Sequence, residues 1–157
     1  MSEPLRKIVC PVDFSEQSEH ALAQAAELAA QSGADLLLLT VVQPMPAVFP
    51  GENALMTQLH PVPLTFKDEA AAQLASMRDK FCGAVLERTT SSVAIGVPFV
   101  EIVRFAREHE ADLIVMGSHG RTGLEHLMIG SVAERVVRKA PCSVLVVRNK
   151  ERKFVMP

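Results

Sequence analysis

The residues richest in chemical possibility lie in one stretch, Gly117 to Val137, which reads GSHGRTGLEHLMIGSVAERVV. Two residues separate Gly117 from Gly120, and nine more separate Gly120 from the pair Gly130-Ser131. A glycine lets the backbone turn sharply and come close to a ligand. Ser131 and Glu134 have the S-x-x-E spacing of a capping box, which predicts a helix opening at that point. The first amides of such a helix have no partners within it and face outward at the positive end of its dipole, an arrangement suited to an anion. Hydrogen bonds to a charged oxygen contribute about 1.5–3 kcal/mol each, so several together hold a polyphosphate without a dedicated lysine. A strand–loop–helix junction also needs glycines and a cap for structural reasons alone, and Glu134 brings a negative charge of its own. The phosphate reading rests on three glycines, Ser131 and Arg121 gathered on one loop.

Two other phosphate motifs are missing. The chain contains no G-x-x-x-x-G-K-[ST], and the turn after the first apolar run, Pro11-Val12-Asp13-Phe14-Ser15, has no glycine. A P-loop is thereby excluded, and the G-x-G-x-x-G fingerprint fails where a dinucleotide fold would carry it. His119 and His126 stand seven residues apart, which is not the spacing of a helical metal pair.

The elements that must position this loop alternate between β-type runs and helical patterns. Lys7–Val12 reads as a first buried strand. Ser15 opens a helix with Glu16 and Glu19 in its first turn, and Leu22, Ala25, Ala26 and Ala29 mark its apolar face up to a stop at Gly33. Leu36–Val42 is a continuous apolar run, as expected of a strand covered on both faces. Residues 43–64 hold five of the ten prolines and read as a long connection. It leaves the same strand end as the glycine loop and is either a lid or a surface loop.

Thr65 and Asp68 suggest a capping box for the next helix, with Ala70, Leu74, Met77 and Phe81 on its inner side and an end at Gly83. Residues 85–95 read as a more polar third strand at a sheet edge. Pro98 suits the first turn of a helix whose face is Phe99, Ile102, Val103 and Ala106. Asp112–Met116 reads as the fourth strand, Ser131–Lys139 as the fourth helix and Ser143–Val147 as the fifth strand. Five strands alternating with four helices predict an α/β fold, a three-layer open parallel sheet of the Rossmann-like kind.

The whole-chain properties agree with one ordinary domain over 1–157. The 157 residues are 48% hydrophobic and 22% charged, and the formal net charge of −2 supplies no basic footprint for nucleic acid. The longest apolar run is too short for a membrane span or a signal peptide. Cys10, Cys82 and Cys142 lie far apart, without disulfide or zinc spacing. The expected compartment is the cytoplasm, with no membrane and no nucleic-acid partner.

The pattern Gly117-x2-Gly120-x9-Gly130-Ser131 resembles that of the universal stress protein family, in its ATP-binding branch; a branch without it does not bind ATP. The likeness extends to KIVCPVDFSEQSEHAL near the start and GSVAERVVRKAPCSVLVV near the end. It covers nearly everything except the proline-rich connection and the last ten residues. The resemblance implies a strand order of 3-2-1-4-5 and an ATP ligand, with Mg2+ as its admissible companion. It implies that Pro11, Val12 and Asp13 border the adenosine, and that Val41 meets adenine through its backbone. Met116, Gly117, His119, Gly120 and Arg121 would line the ribose and phosphates, and Gly130, Ser131 and Val132 would close the phosphate end. Relatives often carry Thr where this chain has Val12, so one hydroxyl is missing.

The resemblance also implies a homodimer through the fifth strand. The function it points to is a nucleotide-dependent stress-response module that acts by binding. The alternatives are a slow ATPase or phosphotransferase, for which Asp13, His119 and Glu134 are the only candidate bases, and a nucleotide-free interaction module.

Overall fold

The computed structural model describes residues 4–44, 63–119 and 129–148. The elements run β1 (Lys7–Pro11), α1 (Glu16–Ser32), β2 (Asp35–Val42), α2 (Leu64–Phe81), β3 (Thr89–Ile95), α3 (Pro98–Glu108), β4 (Leu113–Gly117), α4 (Ser131–Lys139) and β5 (Ser143–Val147). The strands form one parallel sheet in the order β3-β2-β1-β4-β5. That is the order the family resemblance implies, with the polar third strand at one edge.

Alternation along the strands divides the core in two. Ile8, Cys10, Leu36, Leu38 and Val115 face α1 and α2, where they pack on Leu22, Ala25, Ala29, Leu74 and Met77. Val9, Leu37, Leu39, Ile114 and Met116 face the other way, onto Ile102, Ala106, Ala133 and Val136. Both faces of the central strands are therefore dry, which is why the inner stretches of β1, β2 and β4 run apolar, with Thr40 the one polar residue inside β2, rather than alternating. Cys10 and Cys82 are buried in the first of these clusters, and all three cysteines are free thiols. Burial is the main cause that pushes the Cys10 thiol far up, with Cys82 nearby adding to it. Burial likewise raises Cys82 and Cys142. None is primed as a thiolate nucleophile.

Three local expectations need correction. α2 starts at Leu64 behind Pro63 with no side-chain cap, so Thr65 lies inside the helix and the Thr65/Asp68 box does not form. The third strand starts at Thr89 rather than at residue 85. Gly83–Arg88 instead makes 3-10 turns joined at Val85, whose side chain plugs the first core cluster, while the Thr89 hydroxyl donates to the Val85 carbonyl. An apolar Val85-Leu86 pair looks like strand in sequence, but only Val85 turns inward and Leu86 is exposed. The third correction concerns the helix that opens the candidate site.

Candidate nucleotide-type site at the carboxyl edge of the sheet

The chain leaves β1 on one side of the sheet and enters β4 from the other, so the carboxyl ends of these neighbouring strands lie at a topological switch point. The β1–β4 ladder pairs Ile8 with Leu113 and Val9 with Ile114. On the other side, β1 pairs with β2 only as far as Pro11 opposite Leu39, and the Val12 amide adds a last bond to the Leu39 carbonyl at 2.8 Å. β2 continues for three more residues, Thr40 to Val42, paired only with β3.

This difference in strand length has a directional consequence. In a parallel ladder, the N–H and C=O of one residue point to the same neighbour, and successive residues alternate. Leu39 points to β1, because its carbonyl accepts from Val12. Val42 points to β3, because its carbonyl accepts from the Gly96 amide at 3.0 Å. Val41 therefore directs its backbone donor and acceptor to the β1 side, beyond the end of β1. A notch is left there with a peptide edge facing into it.

The β1–α1 turn forms one wall. Ser15 caps α1, its hydroxyl accepting from the Ser18 amide. It also donates both its amide, at 3.1 Å, and its hydroxyl to Asp13 Oδ1. The buried Ser18 hydroxyl accepts from the Asp13 amide at 3.4 Å and donates to the Ser15 carbonyl at 2.8 Å. Phe14, held between them at φ 65°, turns the chain sharply and packs its ring against the core. Asp13 acts as a turn former, since its carboxylate folds the loop. The Val12 side chain is buried in the α1-side core, so only its backbone can border a ligand.

The opposite wall is the end of β4. Gly117 packs on the first turn of α1: a Cβ there would sit 3.1 Å from the Gln17 carbonyl oxygen. Buried Ser118 knots this region together. Its amide donates to the Val147 carbonyl, its carbonyl accepts from the Gly130 amide at 2.7 Å, and its hydroxyl lies 3.1 Å from His119 Nδ1. His119 Nε2 is buried without a hydrogen-bond partner among the described residues, an arrangement that a ligand or water would complete. Met116 points into the α3/α4-side core. Gly120 and Arg121 lie outside the described residues, as does His126.

Gly130, not Ser131, is the N-cap of α4, and no side chain caps this helix. This is the third correction. The Ser131/Glu134 box does not form: Ser131 is the first residue inside the helix, and the amide of the cap residue, Gly130, goes to the Ser118 carbonyl. Glu134 instead pairs with Arg138 at 2.9 Å, down the helix. The first intrahelical bond runs from the Glu134 amide to the Gly130 carbonyl. The amides of Ser131, Val132 and Ala133 are left with no acceptor in the helix, which makes them better placed for an anion than a capped terminus would be. Ser131 itself is exposed and Val132 is half-buried against the second core cluster. Gly130 is also tightly placed, since a Cβ would meet Ser118 O at 3.1 Å and His119 Cα at 3.4 Å.

Pro11, Val12, Asp13, Val41, Met116, Gly117, His119, Gly130, Ser131 and Val132 thus share one sheet edge. Sequence reading found Ser15 as the opening of α1 but not its bonds to Asp13, and it missed Ser18 and Ser118; all three shape that edge by hydrogen bonding within the chain. Their signal was weak, because a serine in a turn has many uses. Among the described residues no group of three His, Cys, Asp or Glu side chains comes together to hold a metal ion. These residues therefore supply no cage of their own for Mg2+. No described helix is long and apolar enough to cross a membrane.

An open parallel sheet covered on both faces, notched at its switch point and bordered by an uncapped helix terminus, defines a doubly wound α/β protein with a candidate site at that edge. The chain belongs to the universal stress protein family, whose model matches residues 4–148. It is 37% identical over 150 residues to the universal stress protein MJ0531 of Methanocaldococcus jannaschii, covering 94% of this chain and 84% of that protein. The solved structure of MJ0577, from the same organism, superimposes with a TM-score of 0.77 at 28% identity, covering 95% of this chain and 99% of that one. A universal stress protein solved in complex with cAMP gives a TM-score of 0.70 at 25% identity, with 93% and 98% covered.

Proposed function

We propose that this protein binds ATP in the crevice between β1 and β4 and acts as a nucleotide-dependent stress-response module. The observation that carries the reading is the Val41 peptide edge, which extends past the end of β1 with its donor and acceptor directed into the notch. Adenine presents a ring nitrogen that accepts and an exocyclic amine that donates, so one peptide edge satisfies both. At the other end of the crevice, the free amides of Ser131, Val132 and Ala133 meet phosphate oxygens. His119 Nε2 gains the partner it lacks. Asp13, Pro11 and the Val12 backbone border the adenosine and Met116 and Gly117 form its floor; Gly120 and Arg121 belong to the phosphate side only through the family resemblance.

The cAMP-bound relative supports an adenine nucleotide as the ligand class. The likeness of the Gly117-x2-Gly120-x9-Gly130-Ser131 pattern to the ATP-binding branch of the family supports ATP within that class. Mass spectrometry of small molecules released by denaturing freshly purified protein tests the reading directly. ATP, with ADP as its breakdown product, is the expected release. An empty protein that also fails to take up ATP in calorimetric titration would leave the nucleotide-free interaction module as the function.

A further inference from the structure

We propose that Glu101 is a positioning residue for the adenine end of this site, acting through the Gly96 turn on the terminus of β2; the inference rests on the nucleotide reading above. Glu101 lies in α3, yet it is 7% exposed, the only buried Asp or Glu among the described residues. Its sole ion-pair partner among them is Arg104 on the same helix, itself largely exposed. A carboxylate is an expensive group to bury, and an apolar side chain would fill the same space more cheaply. Its placement is explained by what it covers.

The carboxylate folds back over the β3–α3 turn, against Gly96. A Cβ on Gly96 would fall 2.6 Å from Glu101 Oε1 and 3.0 Å from both Cδ and Cγ. The backbone there has φ 153°, a conformation that only glycine adopts readily. The carboxylate thus packs directly over the turn, and a side chain at residue 96 would displace it. The Gly96 amide, in the turn that this carboxylate covers, donates to the Val42 carbonyl at 3.0 Å. That bond is the last one fixing the end of β2. The neighbouring residue is Val41, whose free peptide edge is the proposed adenine contact. A path of contacts therefore leads from a buried charge in α3, which touches no nucleotide, to the peptide edge that reads the base.

The test compares wild type with Glu101→Ala and Glu101→Gln. In nucleotide-free protein, hydrogen exchange at the Gly96 amide is expected to accelerate about tenfold in Glu101→Ala, with the amides of β1 and α1 unchanged. In titrations, Glu101→Ala is expected to weaken ATP and adenosine by the same factor, about tenfold, while inorganic triphosphate binds as in wild type. Glu101→Gln, which keeps the volume and a hydrogen-bonding group to Arg104, is expected to restore both to within about twofold. A loss extending equally to triphosphate would mean general loosening and would overturn the positioning role. So would wild-type exchange at Gly96, or unchanged adenosine affinity in Glu101→Ala. A wild-type protein that binds none of the adenine ligands would instead bring down the nucleotide reading itself.

Discussion

Gly130 shows how one position can answer to two demands. In sequence it is the last glycine of a phosphate-type loop. In the structure its missing Cβ leaves room for the carbonyl of Ser118, which also accepts the Gly130 amide. A side chain there presses on a backbone atom and cannot be relieved by rotating a flexible group. The first amides of α4 must move with it. Gly130 has φ −60°, so the cost of substitution lies in this contact and not in backbone conformation. Gly130→Ala is expected to weaken ATP binding about tenfold, roughly 1.4 kcal/mol, and Gly130→Val to abolish it, both with an unchanged circular dichroism spectrum. Calorimetric titration checks this, and wild-type affinity in Gly130→Val would place the phosphates elsewhere. Asp13 teaches the converse lesson. Its carboxylate is engaged by Ser15, so a charged group at a strand end is part of the turn before it is part of any chemistry.

At the scale of elements, two serines that look alike in sequence behave differently. Ser15 accepts from the Ser18 amide and caps α1, whereas Ser131 is the first residue inside α4 and caps nothing. Ser15→Ala is expected to lower unfolding free energy by about 1–2 kcal/mol, since it loses both the cap and the bonds to Asp13. Ser131→Ala should stay within about 0.5 kcal/mol of wild type. Paired denaturant titrations decide it. Strand β1 is tied to the start of β4 by Asp112, which accepts from the Arg6 and Lys7 amides, each at 2.9 Å. Those two bonds, chiefly the one from Arg6, hold its carboxyl below the usual carboxylate range. A depressed carboxylate stabilises above its unfolded value of about 3.9 and loses that contribution as pH falls through the folded value. Asp112→Asn should therefore melt below wild type at pH 6, with the gap narrowing as the pH drops under about 4. A gap independent of pH would remove the charge from the account.

The strands and helices were legible because each carries a strong local signal: apolar runs in β1, β2 and β4, and the Leu22, Ala25, Ala26, Ala29 stripe in α1. Strand order was not in that pattern and came only through the family resemblance. The errors fell where a tertiary bond outweighed a local preference, as at Gly130, whose amide turned to Ser118, and at Val85, drawn inward by the core. The inward fold of Glu101 had no local signal at all, because a glutamate in the first turns of a helix reads as a solvated charge.

At the scale of the whole molecule, the outstanding question is what covers β5. This strand lies at the edge of the sheet, paired on one side with β4 from Ser143 to Val147. Val144 packs into the α3/α4-side cluster and Val147 against the α1-side cluster, while Leu145 is 40% exposed. A run of four apolar residues on an unpaired edge invites a second chain, and natural proteins seldom leave such an edge bare. Two copies meeting antiparallel about a two-fold axis would satisfy both backbones with one self-complementary surface. The homodimer is therefore our reading of this edge, and the proposed nucleotide site lies close by, since the Ser118 amide at its wall is bonded to Val147. The competing cover, Phe154, Val155 and Met156 of the same chain, lies outside the described residues. Val147 points to β4, because its carbonyl accepts from Ser118, so by alternation Val146 directs its amide to the open edge. Val146→Pro removes that amide and is expected to convert a dimer to monomer at tens of micromolar, about the range in which a specific dimer persists. Circular dichroism must accompany the measurement, and Leu145→Lys, which keeps the amide but charges the surface, supplies a gentler second variant. Sedimentation of the wild-type protein as a monomer at that concentration would end the dimer proposal and turn attention to the carboxyl-terminal residues as the cover.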